Sequence, residues 1–195
     1  MARAFRRTRQ GYRCRLERTE AFILRRLADE VDALIAREAG EPPDAARDPG
    51  ATGAPGSADA LEAQLGVPTD VPPRSGDPVL DRLFPDAYAD AADAADFRRY
   101  TLADLSAGKR AGLALLRSTV DERGGDVILD EEGAQVWLAA LNDLRLALGT
   151  RIGVTEDNVD ELAGLDPDDP RALLFDAYDL LTYLQGTLVE AVAGW

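Results

Sequence analysis

Nine of the eleven prolines fall between residues 40 and 86, in runs such as EPPDAARDPGATGAPG and VPTDVPPRSGDP. Proline has no backbone N–H and a fixed φ, so this stretch can neither propagate a helix for long nor donate to a sheet ladder. Regular structure is therefore confined to a short N-terminal part and a longer C-terminal part. A chain of 195 residues fits one domain with a real core. We expect a single domain over residues 1–195, with a Pro/Gly/Ala-rich, partly mobile insert at about 40–86 that carries short helical turns.

Two short strands are expected at 3–9 and 12–17 around a tight turn at Gln10-Gly11. Tyr12, Cys14 and Leu16 alternate there with Arg13, Arg15 and Glu17, giving one buried and one wet face. Thr19 reads as the cap of a helix to about Glu38 with apolar positions Ile23, Leu24, Leu27, Val31, Leu34 and Ile35. Toward the end of the proline-rich stretch, Asp77-Pro78 reads as an N-cap with proline at the first helical position, and Pro85 as its end. A short Ala/Asp-rich helix is expected over 86–97. Thr101 then caps another to about Arg123, with the stripe Leu102, Leu105, Leu113, Leu116 and Val120, and Gly124-Gly125 ends it. Val127-Ile128-Leu129 is expected to pair with the hairpin as a third strand, since two strands alone are marginal in water. Asp130 caps a helix to about Gly149 that carries the rows Trp137, Leu141, Leu144, Leu148 and Leu138, Leu146. A short helix near 155–163 and a largely apolar, buried helix over 168–193 complete the chain. The expected fold is mainly α: a bundle of about four long helices, with a small antiparallel sheet made by the N-terminal hairpin and a strand near 126–129.

Charge is divided along this frame. Residues 1–26 hold nine arginines against Glu17 and Glu20, while the rest of the chain is strongly acidic and the whole carries a net charge of −14. A lone cysteine, Cys14, excludes an internal disulfide and suggests a reducing compartment. No histidine is present, which argues against structural zinc, His-ligated haem and His-dependent triads. No apolar run nears the ~18 residues of a membrane span, and Arg6-Arg7 lacks the apolar region of a twin-arginine signal. We expect a cytoplasmic protein without cofactors or metal.

Each candidate site has a plain structural counterpart. The arginine hairpin, with Arg6, Arg7 and Arg13 foremost, could neutralise phosphates. It could equally meet acidic protein surface or keep a strand edge soluble. Against nucleic acid stand the acidic body and the scarcity of stacking aromatics, Phe5 and Tyr12 alone. Asp86, Asp90, Asp93 and Asp96 fall on one helix face, either solvated or facing a basic partner; no ligand loop surrounds them for a metal. Glu131 and Glu132, and the acids of 155–161, sit where first-turn carboxylates favour the helix dipole. Asn142 and Arg145 lie three apart beside Asp143 in the most apolar internal helix, either setting register or lying exposed. Cys14 reads as a small buried apolar residue. No Gly-x-Ser-x-Gly elbow occurs, and Lys109, in AGKRAG, matches no phosphate loop.

The opening ARAFRRTRQGYRCRLERTEAFILRRLADEV, the block VILDEEGAQVWLAALNDLRLALGTRIGV and the final AYDLLTYLQGTLVEAV resemble an actinobacterial family of unknown function. The gene of that family often neighbours the one for the protease adaptor ClpS. The most specific part runs from Trp137 to Gly153. The resemblance implies a cytoplasmic regulatory protein linked to protein turnover, and it carries no catalytic residues over. The sequence reading is a non-enzymatic adaptor or regulator, a homodimer with a protein partner, using Arg6, Arg7, Arg13, Asp90, Asp93, Trp137, Asn142 and Arg145 for contacts. The alternatives are a nucleic-acid-associated regulator using the arginine hairpin, or an enzyme built from carboxylates near Arg145.

Overall fold

The structure, a computed structural model, describes residues 2–39, 76–166 and 168–194. The expected insert lies outside the described residues from 40 to 75.

Strands β1 (Arg3–Thr8) and β2 (Gly11–Leu16) form the hairpin, and β3 (Gly125–Leu129) pairs antiparallel with β2, giving the order β1-β2-β3. The tight turn falls at Arg9-Gln10, one residue earlier than expected, and Gly11 begins the second strand. Its φ is +112°, and a Cβ there would lie 2.1 Å from the carbonyl oxygen of Leu129, so only glycine fits. The β1–β2 register shifts between Arg3 and Arg6. This bulge turns Phe5 into the core while Arg3 and Arg6 both stay on the wet side.

Six helices follow among the described residues: α1 (Arg18–Glu38), α2 (Pro78–Leu83), α3 (Ala91–Thr119), α4 (Glu131–Ile152), α5 (Val159–Ala163) and α6 (Pro170–Ala193). The fold is thus mainly α, with four long helices and a small antiparallel sheet, as expected. Helix α1 starts two residues earlier than the Thr19 reading. Glu17 is its cap, and the Glu20 carboxylate accepts the Glu17 backbone N–H at 2.7 Å. The other Glu20 oxygen accepts the Ala2 N–H, tying strand to helix. Asp77, Asp130 and Asp169 each accept a first-turn N–H at their helix starts.

The expected pair of helices over 86–97 and 101–123 is one continuous helix, α3. Asp90 caps it, accepting from Ala92 N at 2.8 Å and Asp93 N at 3.1 Å. Thr101 is no cap; its hydroxyl donates back to the Phe97 carbonyl at 2.8 Å, a bond that a helix interior tolerates. The apolar stripe of α3 is thin, and Leu105 on it is exposed. Ion pairs to antiparallel α1 compensate: Arg98 with Glu38, Arg110 with Asp32 at 2.9 Å and Arg117 with Asp29 at 2.5 Å. Arg25 closes this seam by donating to the carbonyls of Arg117 (2.7 Å) and Val120 (2.9 Å) where α3 ends.

Helix α4 is the hub and packs against α6, α3 and α2. Trp137 in its second turn is fully buried; its ring meets Phe5 edge-on at 5.7 Å, and its Nε1 donates to the Thr119 hydroxyl at 3.0 Å. Helix α6 is less buried than its composition suggested: Leu173, Leu174 and Val189 are exposed.

Candidate docking site on the arginine face of the sheet

Alternation along the strands sends Tyr12, Cys14, Leu16, Val127 and Leu129 into the core and leaves Arg13, Arg15, Asp126 and Ile128 outside. Cross-strand pairing assembles them into rows: Arg3 opposite Arg15 opposite Asp126, and Arg6 opposite Arg13 opposite Ile128. Four guanidinium groups from two strands thus share one face with a single carboxylate. The face is one wall of an open concavity of about 750 Å³ lined by Arg3, Arg6, Arg13, Arg15, Asp126 and Tyr183 among others. Tyr183 comes from α6, on which β1 is seated; the Phe5 N–H donates to the Thr187 hydroxyl at 3.3 Å.

Asp126 is the internal counter-charge. Arg13 donates to it at 2.6 Å, and Arg15 stands 3.8 Å away. The Arg13 hydrogen bond holds the Asp126 carboxyl below the usual carboxylate range, helped by the charges of Arg13, Arg15 and Arg3, and the same bond raises Arg13. Among the described residues Arg3 and Arg6 form no ion pair. The face carries an excess of three positive charges in a form suited to planar, forked recognition of carboxylate or phosphate oxygens.

The other sequence candidates lie elsewhere. Arg7, opposite Tyr12, is exposed but does not line the concavity. Asp90 and Asp93 lie at the start of α3, with Asp90 engaged as its cap. Trp137 belongs to the core and has no surface to offer. Arg145 reaches across to α6, donating to Gln185 at 2.9 Å, while Asn142 is half-buried on the same helix. Between them Asp143 is buried and paired with Lys109 at 2.7 Å. Sequence reading did not single out Arg3, Arg15, Asp126 or Tyr183. The alternation carried a signal for Arg15. Asp126 and Tyr183 join the site only through the β2–β3 register and the seating of α6.

The charge division of the sequence becomes a division in space. Helix α4 leaves the sheet directly after β3, and Tyr178 near the start of α6 packs on Gly149 near the end of α4. The acids of 155–169 and the Asp-rich start of α3 therefore gather at the end far from the sheet, with the 22 residues of α4 spanning roughly 33 Å between.

Fold and site define a class: a mainly helical domain capped at one end by a small basic sheet. The chain belongs to the family described as Domain of unknown function (DUF2017), which it matches over residues 2–192. It is similar to the oxidative stress regulator AosR of Mycobacterium tuberculosis (strain ATCC 25618 / H37Rv), 32% identical over 204 residues that cover 96% of this chain and 85% of the relative. The protein of the same name from Mycobacterium bovis matches equally well. The putative oxidative stress regulator AosR of Mycobacterium leprae is 34% identical over 148 residues, covering 69% of this chain and 67% of the relative. No solved structure matches.

Proposed function

We propose that this chain is a regulatory protein that acts by holding an acidic segment of a partner protein against the arginine face of its sheet, without catalysis. One observation carries the reading: four guanidinium groups share a concave face with one carboxylate. The regulator names of the relatives support it. The protein-turnover setting implied by the family resemblance also fits, the held segment then belonging to a protease adaptor or its client. The net charge of −14 is a poor guide to this face. At physiological salt the screening length is about 8 Å, several times shorter than the roughly 33 Å to the acidic end.

Cys14 is poorly suited to receive an oxidative signal directly. That cysteine is single, 2% exposed, and its thiol is pushed up to about 12, chiefly by burial and further by Asp126 and Glu20.

Titration with a fluorescent poly-glutamate peptide tests the proposal. We expect binding that weakens steeply with salt and is lost on Arg6→Glu with Arg13→Glu. The second reading, nucleic acid, draws on the same four arginines with Tyr183 as the one aromatic lining residue among the described residues. An oligonucleotide that outcompetes the peptide at equal charge would put that reading first.

A further inference from the structure

The flank of α6 that leads to the concavity is open. Leu173 (73% exposed), Asp176, Asp179, half-buried Leu180 and Tyr183 (43% exposed) fall within about a third of the helix circumference. At its N-terminal end the flank is acidic and apolar; Arg171, the one cation of α6, is bonded to Asp169 at its own cap. At its C-terminal end the flank runs under β1 and its outward arginines. Charge therefore reverses along a single surface. A surface of that kind is complementary to itself when two copies are laid antiparallel, which is what a two-fold axis does.

We infer that this flank is the contact of a two-fold homodimer, in which the acidic half of each α6 lies against the arginine face of the other copy. With the axis near Leu180, Asp176 and Asp179 of one protomer come beside Tyr183 and Arg6 of its partner. Leu173, the most exposed large apolar side chain among the described residues, then reaches the edge of the partner's β1. A foreign acidic segment would match the charge alone, whereas a second copy also covers Leu173. The inference rests on the reading of the arginine face as a site for carboxylates and deepens it. The dimer occupies the face, so a client must displace the partner copy, and regulation acts through concentration.

Sedimentation velocity of the full chain tests this, at about 0.05 M and about 0.5 M salt. We expect a dimer at low salt that shifts to monomer at high salt. Asp176→Arg with Asp179→Arg, and separately Arg3→Glu with Arg6→Glu, each give monomers with an unchanged far-ultraviolet spectrum. A chain carrying all four reversals dimerises again. A wild-type monomer under every condition overturns the inference, as does a four-fold variant that stays monomeric. Assemblies that keep growing with concentration also overturn it, because such a contact does not close. A monomeric wild type that still binds poly-glutamate overturns the dimer while leaving the docking face intact; loss of both removes both.

Discussion

The most consequential single residue away from the surface is Asp143. Burial raises its carboxyl above the ordinary value, and the bond from Lys109 opposes that rise. A carboxyl with a raised folded pKa binds its proton more readily in the native chain. Its charge therefore costs stability at neutral pH, and the cost fades as pH falls through the folded pKa. The two partners are not equivalent: the Lys109 side chain is 23% exposed and can turn to water, whereas Asp143, at 7%, cannot. We expect Lys109→Met to cost about 3–5 kcal/mol at neutral pH and to recover part of this on acidification. Asp143→Asn should cost clearly less, as urea unfolding of both variants at two pH values will show. Thr119→Val, which strips the partner from the Trp137 Nε1, should cost about 1–3 kcal/mol in the same assay. Cys14 should resist iodoacetamide in the native chain and react once the chain is unfolded; rapid native labelling would contradict the burial described above.

At the scale of the elements, caps and stripes were readable wherever local chemistry decides. Asp77-Pro78, Asp130 and the row Trp137, Leu141, Leu144 and Leu148 stand as expected. The third strand is legible because Val127-Ile128-Leu129 follows a glycine pair. The sequence offers a break in α3 at Thr101 that the structure lacks, because a threonine inside a helix and one at its start look alike in sequence. Of the helix's expected stripe only Leu105 is exposed, and the ion pairs that add to the apolar contact with α1, spread over residues 29–38 and 98–117, are ones no periodicity reveals. The candidate site was half legible. Its arginines were conspicuous, but Asp126 and Tyr183 needed the sheet register and the seating of α6. Gly11→Ala makes the clearest test of that register. The methyl group would collide with the Leu129 carbonyl at a positive φ, and we expect a loss of more than about 1 kcal/mol in thermal unfolding. Asp130→Ala should cost about 1 kcal/mol by freeing the Gly133 N–H at the start of α4.

Taken whole, the molecule stacks an arginine-faced sheet on a helical body whose far end is rich in carboxylates; one apolar core runs through both, and ion pairs add to the packing of α1 on α3. Salt should act on the two functions of charge differently. Contacts at the open arginine face weaken strongly between about 0.05 M and about 0.5 M salt, while the half-buried pairs of α3 weaken little. Peptide binding and thermal unfolding measured across that range should therefore separate. The distance between the ends has a consequence at the bench. A sequence pI near 4.4 directs this protein to an anion exchanger. Yet a charged resin meets only the face turned toward it. We expect the chain to be held at neutral pH by cation-exchange beads as well, sheet first, and to leave them when Arg6 and Arg13 are reversed. On a flat anionic support it would stand upright, with its carboxylate-rich end toward the solvent.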